Sequence, residues 1–154
     1  MHQIITLIAK DFIVLPPIIL AVVWFRLSWP LKRQAVLVAI GGVVITVILA
    51  LIGSKLFNNP RPFVAGNFTP YFAHGNDNGF PSDHTLLAGL IGWLALCYSR
   101  KFGAIVLSIA ALIGASRVIA GVHHFSDIIG ALVISGIGVG ISWLVIQKMQ
   151  SRRA

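Results

Sequence analysis

Charged residues, and acidic ones above all, are scarce in this sequence. Only 10% of the 154 residues are charged and only 4 are acidic, whereas 57% are hydrophobic. Soluble domains carry about a quarter charged residues, so a water-soluble globule is excluded. Disorder needs low hydrophobicity, a coiled coil needs dense charge, and a disulfide-stapled secreted module needs more thiols than Cys97 alone, so these classes are excluded too. We therefore expect one small integral membrane domain over residues 1–154, with its core at about 12–147.

Five apolar stretches have the length, or nearly the length, of a helix that crosses a membrane. The hydrocarbon layer is about 30 Å thick and a helix rises about 1.5 Å per residue, so a span needs roughly 20 apolar residues. The sequence therefore predicts an all-α fold, a polytopic bundle of about five transmembrane helices. Residues 2–11 are expected to be either an interfacial helix or the remains of a longer N-terminal region. The five stretches lie at about 12–29, 34–53, 84–99, 102–119 and 127–147.

The basic residues are divided unevenly between the two sides of the membrane that alternating spans define. The positive-inside rule places the more basic side in the cytoplasm, together with the C-terminus, and residues 54–83 and 116–127 outside. The net charge of +8 then reflects cytoplasmic loops, and nucleic acid is not an expected partner. The more basic side carries Arg26, Lys32, Arg33, Arg100, Lys101, Lys148, Arg152 and Arg153. The other side carries Lys10, Lys55, Arg61 and Arg117 with all four acids, Asp11, Asp77, Asp83 and Asp127.

Three short polar blocks lie at the outer ends of the predicted spans: KLFNNPRP at 55–62, PSDH at 81–84 and SRVIAGVHHFSD at 116–127. Ionisable groups at such a depth are costly unless they are paired, and they usually serve a function. An arginine can bind phosphoryl oxygens through two N–H groups, a lysine adds a point charge, and a helix start at a serine offers further donors. The blocks therefore predict a phosphate site. Its expected ligands are Arg61, Arg117, Ser82 and Lys55.

A histidine is the best candidate for a nucleophile, because no serine or cysteine has an evident base of its own. His123 and Asp127 are four residues apart, so the carboxylate can hold one ring nitrogen protonated and direct the other at the substrate. His84 can then protonate the leaving oxygen and later activate water. The competing interpretation is a metal site with the ligands His84, His123, His124 and Asp127. Catalysis without metal is preferred, because no H-E-x-x-H or CxxC spacing is present and cations share the same place.

Taken together, the blocks resemble the three-part signature of the type-2 phosphatidic acid phosphatase family, also called acid phosphatase/haloperoxidase-like: K-x6-RP, PSGH and SR-x5-H-x3-D. The third part matches in full, at Ser116, Arg117, His123 and Asp127. The strings PRPFV and FPSDHT look most like the bacterial undecaprenyl-diphosphatase branch, which is linked to bacitracin resistance.

Two positions depart from the signature. Five rather than six residues separate Lys55 from Arg61, and Ser54 occupies the position where the family has lysine. Asp83 replaces the glycine of the second part, which puts a carboxylate beside the expected phosphate site, where it repels substrate unless it turns away or pairs with a cation.

The resemblance implies hydrolysis of a lipid-linked diphosphate or phosphate through a phosphohistidine, with no cofactor, at the outer face of the bacterial plasma membrane. It implies that His123 is the nucleophile, Asp127 its orienting partner and His84 the acid and base. The phosphate ligands that it implies are Arg61, Ser82, Arg117 and Lys55. Outside these positions, His124 is expected to face the outer water. The loop residues His74, Asn76 and Asp77 form either a lid over the headgroup or a solvated loop.

Three functions are consistent with this pattern. The first is a membrane phosphatase that converts undecaprenyl diphosphate to undecaprenyl phosphate and so recycles the carrier lipid of cell-wall synthesis. The second is a broader lipid phosphatase that acts on phosphatidylglycerophosphate or phosphatidate. The third, of another class, is a small anion transporter. Broken helices with polar groups at the membrane midplane would indicate a transporter. The polar groups here gather at one face instead, which favours an enzyme.

Overall fold

The structure, a computed structural model, describes residues 1–152. It is 79% helical and contains no strand in that range. Arg153, expected on the cytoplasmic side, lies outside the described residues. The helices are α1 (His2–Asp11), a 3-10 turn (Phe12–Val14), α2 (Leu15–Arg26), α3 (Trp29–Leu56), α4 (Pro62–Ala65), α5 (Asp83–Tyr98), α6 (Arg100–Ile119) and α7 (Phe125–Ser151).

The predicted all-α membrane bundle is confirmed, and the chain is a multi-pass membrane protein. Four helical segments are long and apolar enough to cross a membrane: His2–Arg26, Trp29–Leu56, Arg100–Ile119 and Phe125–Ser151. The remaining predicted span, at 84–99, is α5, which has 16 residues and is therefore about 24 Å long. This helix is buried by its neighbours along most of its length, so protein rather than lipid surrounds it.

The first span differs from the prediction, because it begins at His2 rather than near residue 12. Helix α1, the 3-10 turn and α2 form one helical run of 25 residues, and α1 packs against α6. Residues 2–11 therefore continue into the first span and do not form a separate helix. The two prolines of this run fall at the first positions of α2, where a missing N–H has little cost because it would have no partner in the preceding turn.

Helices α5, α6 and α7 pack closely because small residues let their backbones approach. A side chain at Gly89 would meet Ser135 of α7, and one at Gly103 would meet the backbone of Leu96 in α5. Helix α3 packs against α7 on one side, while its other side exposes apolar residues such as Leu37 and Val44. The result is a bundle whose apolar outer surface suits lipid and whose three polar blocks lie at one end.

Asn78 holds the long outer loop between α4 and α5 against the end of α3. Its side-chain nitrogen donates to the carbonyls of Ser54 and Phe57 at 2.7 and 2.9 Å. Its side-chain oxygen accepts from the backbone N–H groups of Asn59 and Phe80 at 2.9 and 3.1 Å. All its hydrogen-bonding groups are thus used in fixing the first block beside the second.

Candidate active site

His123 lies at the centre of the polar end of the bundle, in the turn between α6 and α7. Only 2% of its surface is exposed. Its Nε2 is 3.1 Å from Nη1 of Arg61 and 3.4 Å from Nη2 of Arg117. A guanidinium can only donate, so Nε2 is the unprotonated ring nitrogen and accepts from both. Residues from the first and third blocks therefore surround a single nitrogen lone pair with two positive charges.

Asp127, in the first turn of α7, is fully buried and fixes the other side of the imidazole ring. Its Oδ2 accepts from Nδ1 of His123 at 3.3 Å and from the backbone N–H of His124 at 2.8 Å. Its Oδ1 accepts from the side-chain nitrogen of Asn59 at 2.7 Å. The predicted His123–Asp127 contact is present, and the carboxylate is itself held on both oxygens.

Arg61 is held by three different acceptors. It is buried, with 2% of its surface exposed, and it precedes the short helix α4, whose first residue is Pro62. Besides His123, its Nη1 donates to the carbonyl of Val122 at 3.1 Å, and its Nε donates to Oδ1 of Asp77 at 3.1 Å. The hydrogen bond from Arg61 lowers the pKa of Asp77, so this exposed loop carboxylate stays ionised beside the site.

Arg117, at the end of α6, links the site to two further parts of the chain. Its Nη1 donates to the carbonyl of Ala9 in α1 at 3.1 Å, and its Nη2 donates to Nε2 of His74 at 2.8 Å. Its Nε is buried and has no partner among the described residues. His74 thus forms part of one wall of the site, as the lid interpretation of that loop requires.

Burial and the two arginines keep His123 and His74 neutral. The pKa of His123 is lowered from its ordinary value by burial, and the positive charges of Arg117 and Arg61 lower it further, against the opposing effect of Asp127. Burial and the same two arginines lower the pKa of His74. Neutral imidazole carries the lone pair that a nucleophile needs, so His123 is ready to react at neutral pH.

The second block contributes Ser82 and His84 at the start of α5. Ser82 is fully buried, and its backbone N–H donates to the carbonyl of Asp127 at 3.3 Å. Its hydroxyl lies 3.2 Å from Oγ1 of Thr85 and does not cap the helix. His84 is half-buried in the first helical turn and lies within electrostatic range of Arg117 and His123. The structure therefore gathers all three blocks at one place.

The structure qualifies two expectations from the sequence, those for Lys55 and His124. Lys55, an expected phosphate ligand, is exposed in the last turn of α3 and takes part in no hydrogen bond or ion pair with the described residues. No contact among the described residues joins it to the other site residues, and one helical position separates it from the position that the family signature uses, so its role as a ligand stays a prediction. His124 does not simply face water, since its Nε2 lies 3.1 Å from the carbonyl of Pro60 and it is the N-cap residue of α7.

Asn59 is the clearest site residue that the sequence did not reveal. It lies two residues before Arg61 in a block whose other asparagine, Asn58, is exposed. Nothing in the spacing distinguishes the two amides, because the contact with Asp127 joins residues 68 positions apart. As for the metal interpretation, no three His, Cys or Asp side chains within residues 1–152 are placed to hold an ion together.

Comparison with known proteins shows the family of this chain. Residues 18–151 match the PAP2 superfamily. YbjG of Escherichia coli (strain K12), provisionally named an undecaprenyl-diphosphatase, is 31% identical over 145 residues, which is 92% of this chain and 72% of that protein. The undecaprenyl-diphosphatase BcrC of Bacillus subtilis (strain 168) is 32% identical over 135 residues, 88% of this chain and 69% of that protein.

Two further similarities complete the comparison. The bacitracin transport permease protein BcrC of Bacillus licheniformis is 38% identical over 104 residues, which is 66% of this chain and 51% of that protein. Among solved structures, LpxE of Aquifex aeolicus superposes with a TM-score of 0.69 at 25% identity, over 92% of this chain and 84% of that one. The resemblance to this family drawn from the three blocks is thereby confirmed.

Proposed function

The chain belongs to the PAP2 superfamily, and on that premise we propose that it hydrolyses undecaprenyl diphosphate to undecaprenyl phosphate. One observation carries the chemistry: Nε2 of a buried, neutral His123 faces Arg61 and Arg117 while Nδ1 is held by Asp127. The names of YbjG and of the Bacillus subtilis BcrC support the lipid diphosphate as substrate. This reaction would recycle the carrier lipid of cell-wall synthesis.

The reaction begins when terminal phosphoryl oxygens accept the N–H groups of Arg61 and Arg117 that otherwise lie on Nε2 of His123. The freed lone pair attacks the terminal phosphorus, and the bond to the bridging oxygen breaks. Its electron pair leaves with undecaprenyl phosphate, which His84 can protonate. The two guanidinium groups stabilise the charge on the transferring group, which is the largest part of such catalysis.

The second half of the reaction releases inorganic phosphate. His84, now acting as a base, takes a proton from water, and the oxygen attacks the phosphohistidine. The N–P bond breaks and its electrons return to Nε2. Asp127 keeps Nδ1 protonated throughout, and Asn59 keeps Asp127 in place. The proposed phosphate ligands are Arg61, Arg117 and Ser82, and Lys55 is the expected ligand with the least support, because it is exposed and contacts none of the others.

We also propose that the site faces the outside of the bacterial plasma membrane and that the C-terminus is cytoplasmic. The support is the charge distribution, with most basic residues at the end of the bundle opposite His123 and the preference of such residues for the cytoplasmic side. One domain contains all of these elements.

The name of the Bacillus licheniformis relative, a transport permease protein, suggests a transporter as the alternative function. The ionisable groups described above gather at one end of the bundle, and the buried surface between α5 and α7 is apolar or closed by small residues. A path for an anion needs polar groups at the midplane. Hydrolysis at one face fits the arrangement better. A broader lipid phosphatase would act on a substrate that differs in the lipid and in the leaving group.

The direct test is phosphate release by the purified chain in detergent with excess chelator present. We expect turnover of C55 diphosphate that exceeds turnover of phosphatidylglycerophosphate, and its abolition in His123→Ala. His2→Ala, a histidine outside the site, is the matched control and should retain activity. Preference for phosphatidylglycerophosphate would favour the broader phosphatase. Activity that vanished with chelator and returned with zinc would contradict the metal-free scheme.

A further inference from the structure

The site has fewer cations than a diphosphate requires. The lysine of the family signature is replaced by Ser54, whose hydroxyl donates to the carbonyl of Leu51, and Lys55 is exposed in the last turn of α3 with no contact to the other site residues among those described. Arg61 and Arg117 together surround only the space beside Nε2 of His123. A terminal phosphoryl group bound there leaves the second phosphate of the substrate without a described partner in the three blocks.

Lys10, in the last turn of α1, is a cation at the same level as the site. The carbonyl of its neighbour Ala9 accepts from Nη1 of Arg117 at 3.1 Å. The Lys10 ammonium lies 5.8 Å from the centre of the Phe72 ring, and the Arg117 guanidinium lies 5.9 Å from the same centre. The two cations are therefore no more than about 12 Å apart, within the range of cation–π attraction to a shared ring.

The contact with Phe72 holds Lys10 near the pocket without consuming its hydrogen bonds. A cation–π contact is an attraction to the face of a ring, so all three N–H groups of the ammonium remain for another acceptor. The Lys10 side chain is exposed and pairs with no carboxylate among the described residues. Phe72 lies in the same loop as His74, which accepts from Arg117.

A second cavity beside the site carries two carboxylates. Asp77 and Asp83 line this cavity between α3 and α5 together with Asn78 and Phe80. Asp77 is paired with Arg61, Asp83 is exposed, and a carboxylate offers an anion no hydrogen bond. Lys10 is followed by Asp11 in the sequence, but its ammonium offers three N–H donors, so it is the better partner for the rest of a diphosphate headgroup.

We propose that Lys10 forms a second phosphate subsite, which binds the phosphate of a lipid diphosphate that is not transferred. The proposal rests on the proposed function and adds the residue that distinguishes a diphosphate from a monophosphate. When the bridging bond breaks, its electron pair moves onto the oxygen that stays with this phosphate. Lys10 then lies beside the group whose negative charge grows, so it assists departure as well as binding.

The proposal is tested by binding of two hydrolysis-resistant probes to the full chain in detergent, measured by calorimetry. Methylenediphosphonate has two phosphonate groups and methylphosphonate has one. Lys10→Gln should weaken the binding of methylenediphosphonate by about tenfold or more, as the loss of a charge-assisted hydrogen bond predicts. It should weaken the binding of methylphosphonate by less than about threefold. Lys10→Arg should restore most of the difference.

The matched control is Lys32→Gln. Lys32 makes the same kind of contact, 5.8 Å from the centre of the Trp24 ring, at the other end of the bundle, so its loss should leave both probes unaffected. Equal weakening of both probes by Lys10→Gln would overturn the proposal, since it would show that Lys10 only supports Phe72. A wild-type chain with no preference for the diphosphonate would overturn it too, as would a selective loss found in Lys55→Gln instead.

Turnover measurements distinguish a failure of this proposal from a failure of the proposed function. In Lys10→Gln, kcat/KM for C55 diphosphate should fall about tenfold while kcat/KM for phosphatidate changes little. If the wild-type chain fails to hydrolyse C55 diphosphate, the proposed function is wrong, and the binding comparison still decides whether the second subsite exists.

Discussion

Asn59 and Asp127 are joined by a hydrogen bond of 2.7 Å, from the side-chain nitrogen of the amide to Oδ1 of the carboxylate. Asp127 is fully buried, and its other oxygen accepts from Nδ1 of His123. The contact ties the loop that carries Arg61 to the helix that orients the nucleophile. Asn59 is thus a positioning residue that acts through Asp127.

Replacement of Asn59 by alanine should lower kcat by about 10- to 100-fold. It leaves one oxygen of a buried carboxylate without a donor, which costs about 1–3 kcal/mol, and it lets the imidazole ring move. KM should change less than kcat, because Asn59 does not touch the arginines. The control is Asn58→Ala, an exposed neighbouring amide. Similar losses in both variants, or an unchanged kcat in Asn59→Ala, would remove this role.

The pH dependence of kcat/KM should show an acid limb below pH 6.5, the ordinary pKa of histidine. Burial and the charges of Arg117 and Arg61 lower the pKa of His123, so the neutral nucleophile persists as the pH falls and is lost only below its shifted pKa. Removing the positive charge of Arg61 raises the pKa of His123. The acid limb of the residual activity of Arg61→Gln should therefore lie at a higher pH than that of the wild type. A downward move would contradict the assignment.

Gly79→Ala should abolish most activity without unfolding the chain. A β-carbon at residue 79 would lie 3.0 Å from Oδ2 of Asp127 and 3.1 Å from the carbonyl of Asn59, so either the carboxylate or the loop must shift. Phosphate release and thermal unfolding are measured together. Gly140→Ala is the matched control, because nothing lies within 4 Å of a β-carbon there. Equal activity of the two variants would show that the carboxylate position is not critical.

Much of this architecture follows from the sequence, and the reasons are local. Apolar runs define α3, α6 and α7, and the fixed spacing of His123 and Asp127 places both at the start of one helix. The spacing could not show that α1 continues into the first span, because Lys10 and Asp11 interrupt the apolar pattern there. Their charges are tolerated because they lie at the level of Arg117, at the polar end.

The parts of the site that escaped prediction are all long-range. Asn59 meets Asp127, His74 meets Arg117, and Ala9 meets Arg117 across 68, 43 and 108 positions of the chain. A family signature records residue types at fixed separations, so it says nothing about such contacts. It also suggested Lys55 as a ligand, and Lys55 is exposed at the end of α3 without a contact to the other site residues among those described.

The orientation is tested by single cysteines in a Cys97→Ala background. A cysteine at Asn76, in the exposed outer loop, should react with a membrane-impermeant maleimide in intact cells. A cysteine at Ser151, at the end of α7, should react only after the membrane is opened. The reverse pattern would place the site in the cytoplasm.

The central claim, that His123 takes the phosphoryl group, is tested most directly by rapid-quench trapping with C55 diphosphate labelled in its terminal phosphate. The chain is quenched in alkali, which preserves phosphohistidine, and the labelled peptide is sequenced. We expect acid-labile label on His123 in the wild type, more of it in His84→Ala because hydrolysis of the intermediate is slowed, and none in His123→Ala. Label on His74 or His84, or undiminished turnover in His123→Ala, would contradict the account.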